Sequence, residues 1–195
     1  MTSQRKPWIR ARKDAEAAII FIHGVNSAAS SCWQSKTSYW PELIRRDKRF
    51  SAFDIFAPDY FTGLDASDYG IADCASALVR QFQTSSTPHG RALFSYGKII
   101  IVAHSFGGVI ARYIIESQRE KFSKKTIGLV LMASPSRGSI WAEIIRFFTW
   151  PINHRQRDEL SPFNSLLDDL DNRFKRLVHA ENLDFKIIGV EAYEQ

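Results

Sequence analysis

The residues best suited to chemistry lie in Val102-Ala103-His104-Ser105-Phe106-Gly107-Gly108-Val109. One serine stands among small residues in the spacing Ala103-x-Ser105-x-Gly107, a variant of Gly-x-Ser-x-Gly. A strand, a tight turn with serine at its apex and a helix would raise a hydroxyl above the end of a parallel sheet. Such a hydroxyl can attack a carbonyl carbon if a base takes its proton and nearby donors hold the oxyanion. The small neighbours fit because the adjoining strand and helix leave no room for larger side chains. A serine here could also simply cap the following helix.

The elements around it are readable. Lys98–His104 is apolar and β-branched, as a central strand covered on both faces should be. Ala17–Ile22 is a second such run, ending in His23-Gly24-Val25-Asn26-Ser27. Pro41 opens a short helix to about Arg46. Phe53–Ala57 reads as a strand stopped by Pro58. Asp65, Ser67 and Asp68 offer N-caps. After them Ile71, Cys74, Ala75, Leu78, Val79 and Phe82 share one helical face. The helix after Ser105 extends to about Glu120. Thr126–Met132 is another buried strand and leads into Ala133-Ser134-Pro135-Ser136-Arg137-Gly138-Ser139. Ser161-Pro162 opens a helix with Phe163, Leu166, Leu167, Leu170 and Phe174 on one face, and Phe185–Val190 is the last strand. Alternating apolar strands and helices predict an α/β fold, a mostly parallel sheet flanked by helices on both faces. The strand ends at His23-Gly24, His104-Ser105 and Ser134-Pro135 should meet at one rim.

Composition bounds the rest. The 195 residues are 45% apolar and 24% charged, as for one globular domain. Residues 1–16 read as a polar N-terminal arm and 17–195 as the domain. The net charge of +5 is concentrated near the N-terminus and around Arg45–Arg49. Without an aromatic-interleaved basic stripe it reads as solvated charge, so no nucleic-acid partner is expected. Two cysteines, Cys32 and Cys74, fit free thiols in a reducing compartment, and a cytoplasmic location is expected. Gly-x-Gly-x-x-Gly, a Gly-Lys-Ser/Thr loop and paired Cys or His at ligand spacing are all missing, so neither metal nor cofactor is expected.

Three motifs carry a resemblance: Phe21-Ile22-His23-Gly24, Val102–Val109 and Ala133–Ser139. On them the chain resembles the α/β-hydrolases over about residues 17–190. More narrowly, it resembles the lipase-like serine esterases related to GPI inositol deacylases. At the third motif Ser136 stands where that family has a His.

The resemblance implies that Ser105 is the nucleophile and that backbone N–H groups of Phe106 and Val25 form the oxyanion hole. It implies the chain order serine, acid, histidine. Glu191, just past the last apolar run, is the preferred acid. Glu194 is its neighbour, and Glu143 and Asp168 are lesser candidates within helical patterns. No base is evident. His104 should point away from Ser105, and His23 should orient backbone. His154 and His179 read as surface residues. The family's histidine follows one further strand, which would lie beyond Gln195, so the core is expected to lack that strand.

The apolar stretch Ile140–Trp150 reads as core or as a lid. As a lid, Trp141, Ile144 and Phe148 would meet a lipid-like substrate or a membrane surface. The expected function is hydrolysis of carboxylic esters, small or lipid-like. The competing reading is a shortened, inactive hydrolase-like domain that binds a lipid or protein partner.

Overall fold

The computed structural model describes residues 7–24, 27–60, 70–134 and 161–192, the last with side chains from Leu167 onward. In order, β1 is Trp8–Arg10, β2 Ala17–Ile22, α1 Ala29–Cys32, α2 Trp40–Arg46 and β3 Phe53–Phe56. Then come α3 Ile71–Thr84, β4 Lys98–His104, α4 Phe106–Ser117, α5 Arg119–Phe122, β5 Thr126–Met132, α6 Ser161–Val178 and β6 Lys186–Ala192. The candidate caps Asp65, Ser67 and Asp68 lie outside the described residues, and Gly70 stands at the N-cap of α3.

The six strands form one sheet in the order β1-β3-β2-β4-β5-β6. All pairings are parallel except β1 with β3. The chain leaves β2 towards β3 on one side and leaves β4 towards β5 on the other. Connections therefore diverge between two neighbouring strands, the position at whose carboxyl ends open α/β sheets bind ligands.

Residues alternate between two faces. Ile99, Ile101 and Ala103 of β4 pack with Leu78, Val109, Ile110, Leu170 and Phe174 from α3, α4 and α6. Ile100 and Val102 join Phe21, Trp33 and Trp40 beneath α1 and α2. There the ring of Phe21 meets Trp33 edge-on at 5.2 Å and Trp40 at 5.6 Å. Both faces of the central strands are covered, as their unbroken apolar runs require.

Three elements differ from the sequence reading. Part of the polar N-terminal arm is a strand: Trp8–Arg10 pairs antiparallel with β3. Asp54 explains the docking. Its buried carboxylate accepts the N–H of Arg12 at 2.7 Å and the hydroxyl of Tyr96. Arg10 donates to the carbonyl of Phe53 at 2.6 Å, and Trp8 lies 4.6 Å from the ring of Phe56.

The helix after Ser105 stops at Ser117, not near Glu120. Gln118 leaves helical geometry, and the short α5 turns Phe122 into the core against Phe94. Finally, β6 begins at Lys186 and extends past Val190 to Ala192, so Glu191 lies within the strand and not beyond it. No described helix is long and apolar enough to cross a membrane.

Candidate active site

The strand β4 delivers Ser105 to the carboxyl edge of the sheet, and α4 begins at the next residue. Ser105 adopts φ 52° and ψ −126°, a conformation uncommon for a residue with a Cβ. Surrounding contacts hold it there. Its N–H donates to the Met132 carbonyl at 2.9 Å, and its carbonyl accepts the N–H of Gly108 at 3.0 Å. The side chain makes no capping bond to α4, so the hydroxyl is not spent on the helix. Ser105 is 6% exposed. Backbone strain of this kind costs about 1–3 kcal/mol and persists where neighbours over-determine it. Ala133, at the adjoining end of β5, also has positive φ, at 45°.

The glycines are set by close approach. A Cβ on Gly107 would lie 2.5 Å from the carbonyl oxygens of both Ile22 and His23. One on Gly108 would lie 2.1 Å from Ser134 Oγ, and one on Gly24 3.1 Å from Ser105 Cβ. The ends of β2, β4 and β5 thus meet at one rim. Ser134 is buried there, and its hydroxyl has no hydrogen-bond partner among the described residues.

His23 is buried below this rim. Its Nδ1–H donates to the Gly24 carbonyl at 3.0 Å, and its Nε2 faces the N–H of Tyr60 at 3.5 Å, which assigns a neutral tautomer. The Tyr60 hydroxyl donates to the His23 carbonyl at 2.6 Å, and the two rings stack 4.3 Å apart. Burial pushes the imidazole below its ordinary range; the Gly24 carbonyl and Asp59, 3.9 Å from Nε2, oppose the shift. The same burial pushes the Tyr60 phenol up. His104 turns to the opposite face. Its Nδ1 lies 3.5 Å from Cys32 Sγ, and its ring meets Trp33 edge-on. Burial raises the Cys32 thiol. Neither Cys32 nor Cys74 is in a disulfide.

Phe106 is the first residue of α4, at the positive end of the helix dipole. Glu191 pairs with Leu131 on β5, one residue below the level of His104, which pairs with Met132. Two strand spacings separate β6 from β4, roughly 10 Å. Glu191 is exposed, and nothing among the described residues bonds to its carboxylate. Asp168 is exposed on α6. His179 follows α6 and precedes the start of β6, at the opposite end of the sheet from Ser105. Val25, Ser136, Glu143, His154, Glu194 and the candidate lid residues Trp141, Ile144 and Phe148 lie outside the described residues.

Two participants escaped the sequence reading. Asp59 accepts the Ala29 N–H at 2.5 Å and Tyr60 carries the His23 loop, so the Pro58-Asp59-Tyr60 turn braces the rim. The available signal was its place after a strand, at the same carboxyl edge.

The model of the alpha/beta hydrolase family matches residues 19–187. The chain belongs to that family. Solved structures with similar folds include a 2-hydroxy-6-oxo-6-phenylhexa-2,4-dienoate hydrolase from Rhodococcus. It is 16% identical, matched over 92% of this chain and 74% of its own, with a TM-score of 0.43. Esterase B from Lactobacillus rhamnosis, inhibited by a tributyrin phosphonate, is 19% identical over 92% of this chain. Only 57% of the esterase B chain is covered, and the TM-score is 0.47. A lipase-esterase related protein from Clostridium acetobutylicum is 9% identical, with 91% and 75% covered and a TM-score of 0.48. Among curated proteins, none matches the sequence.

Proposed function

We propose that this hydrolase cleaves carboxylic esters, lipid-like ones included, with Ser105 as nucleophile. The observation that carries the reading is the backbone of Ser105: positive φ, held between strand and helix, with its hydroxyl unused by the helix. Attack by Oγ on the ester carbonyl would form a tetrahedral oxyanion. The N–H of Phe106 at the start of α4, together with that of Val25, would hold it. A general base would take the Oγ proton and return it to the leaving alcohol. Water, giving a proton to the same base, would then release the acyl group as the acid and restore Ser105. Glu191 is the proposed acid. The partners that hold the rings of His23 and His104, and the place of His179 at the far end of the sheet, speak against these three as the proton acceptor.

The finer kinship, to lipase-like serine esterases related to GPI inositol deacylases, rests on the three motifs. Under it Trp141, Ile144 and Phe148 form a lid facing lipid-like substrate or a membrane surface, in a cytoplasmic enzyme.

A fluorophosphonate probe tests the reading. It is expected to label the folded protein, and Ser105→Ala is expected to abolish labelling. The same variant should lower ester turnover by about 10⁴-fold or more. Absence of labelling in a folded sample would favour the inactive binding domain.

A further inference from the structure

A second concave site lies at the other end of the sheet. A cavity of about 450 Å³ opens between α5, the last turns of α6 and the segment leading into β6. Because β6 starts at Lys186, level with Lys98 at the start of β4, this cavity is a full strand length from Ser105. Seven residues at about 3.3 Å each put the two sites roughly 20 Å apart.

Three guanidiniums line it: Arg119, Arg173 and Arg176. Arg119 is anchored on Glu116, with Nη2 to Oε1 at 2.9 Å and Nε to the carbonyl at 3.1 Å. Arg173 is anchored by Nη1 on Asp169 at 3.1 Å. Its Nε is shut off from solvent without a hydrogen-bond acceptor, and Glu116 Oε2 stands 3.7 Å away, beyond bonding reach. Arg176 has no ion pair or hydrogen bond among the described side chains. Each guanidinium carries about five donors, so most remain unspent. Glu116 and Asp169 are not lining residues themselves, but they pair with two of the guanidiniums and hold them in place. The one carboxylate in the wall is Asp184. Leu183 and buried Phe185 complete the wall with apolar surface.

We propose that this cavity binds an organic phosphate monoester. Glu116, Asp169 and Asp184 balance the three guanidiniums in charge, so the attraction comes from the unspent guanidinium N–H donors, and a monoester carries about −1.5 to −2 near pH 7 to meet them. Its three terminal oxygens give each guanidinium an acceptor, where a carboxylate would supply two in all. The apolar wall takes the organic substituent. The site is separate from Ser105 and does not rest on the proposed esterase activity.

Calorimetric titration with phenyl phosphate tests the assignment on the Ser105→Ala protein, so turnover plays no part. Saturable binding is expected, with inorganic phosphate and benzoate each weaker by about tenfold. Arg176→Gln and Arg119→Gln change exposed side chains and should each weaken binding by about tenfold, whereas Asp184→Asn should strengthen it. Pelleting with phosphatidylcholine vesicles only when they contain phosphatidic acid, reversed by phenyl phosphate, would identify a lipid headgroup as the natural source. Binding without pelleting would identify a free ligand. Three results would overturn the proposal: no saturable binding, benzoate binding as well as phenyl phosphate, or affinities that ignore all three substitutions.

Discussion

Strands β4 and β6 begin with the same three residues, Lys-Ile-Ile, and have the same length, yet they live in different environments. In β4 the interior residues are covered on both faces, and Ile99, Ile101 and Ala103 are essentially inaccessible. In β6, at the sheet edge, Ile188 is 53% exposed and Val190 64%. Ile187 faces α6 and packs at the margin of the main core, but Ile188 and Val190 project to the other side, beyond the reach of α1 and α2. Apolar composition therefore says that a strand can be interior. The crossover order decides whether it is. The strand ends differ likewise. After β4, three chain segments converge on Ser105 closely enough to exclude a methyl group. Around Gly189 in β6, an added Cβ would meet the Leu129 carbonyl at an ordinary 3.4 Å.

Matched glycine substitutions give the largest expected contrast. Gly107→Ala would drive a Cβ into two backbone carbonyl oxygens, neither of which can rotate away. A loss of about 3 kcal/mol or more is expected in urea unfolding, at the upper end of overpacking effects. Gly189→Ala should be neutral or stabilising by roughly 0.5 kcal/mol, because alanine is less flexible in the unfolded chain. Comparable costs at the two positions would mean that the rim is no tighter than the edge, and the distinction between the strands would fail.

The contrast also explains what was legible. Doubly buried runs such as Ala17–Ile22 and Lys98–His104 announce themselves by having no polar alternation, and the Ala-x-Ser-x-Gly turn announces itself by its small residues. Those signals are local. Pairing of Trp8–Arg10 was hidden because its cause, the buried Asp54 carboxylate, lies over 40 residues away. The helix break at Gln118 was hidden because Phe122 turns inward to meet Phe94 and Phe185, again a tertiary cause. Glu191 was placed past its strand because an apolar-to-polar change resembles a strand end. At an exposed edge, pairing with β5 continues regardless of polarity. The Asp59–Tyr60 brace on His23 had only its place after a strand as a signal, because the contacts that make it a brace are tertiary.

A smaller effect separates the centre from the edge by pH. His23 is buried, and burial holds its imidazole neutral by lowering its affinity for protons below the ordinary 6.5. In the unfolded chain the same ring gains a proton as pH falls through that value. The unfolded state then binds more protons, so stability is full above about pH 6.5 and declines below it. One group contributes a slope of at most about 1.4 kcal/mol per pH unit. Asp59, 3.9 Å from Nε2, reduces it by favouring the protonated ring. Urea midpoints between pH 7.5 and about 5 should show this decline, and His23→Asn should flatten it. His179 is exposed, and His179→Asn serves as the control substitution. Equal flattening by both substitutions would remove His23 from the account.

The smallest expected effect lies on β6 itself. Ile188→Thr and Val190→Thr keep the β-branched shape that suits a strand and change only surface that already meets water. Each should alter stability by no more than about 0.5 kcal/mol, the usual range for surface substitutions. The counterpart on β4, Ile101→Thr, buries a hydroxyl at a site 1% exposed and should cost several times as much. The null result is the informative one, because it separates strand shape from burial within one sheet. A loss above about 1.5 kcal/mol at Ile188 or Val190 would equal the burial of a whole aliphatic side chain. That outcome would show the edge face to be covered in solution and would make β6 an interior strand like β4.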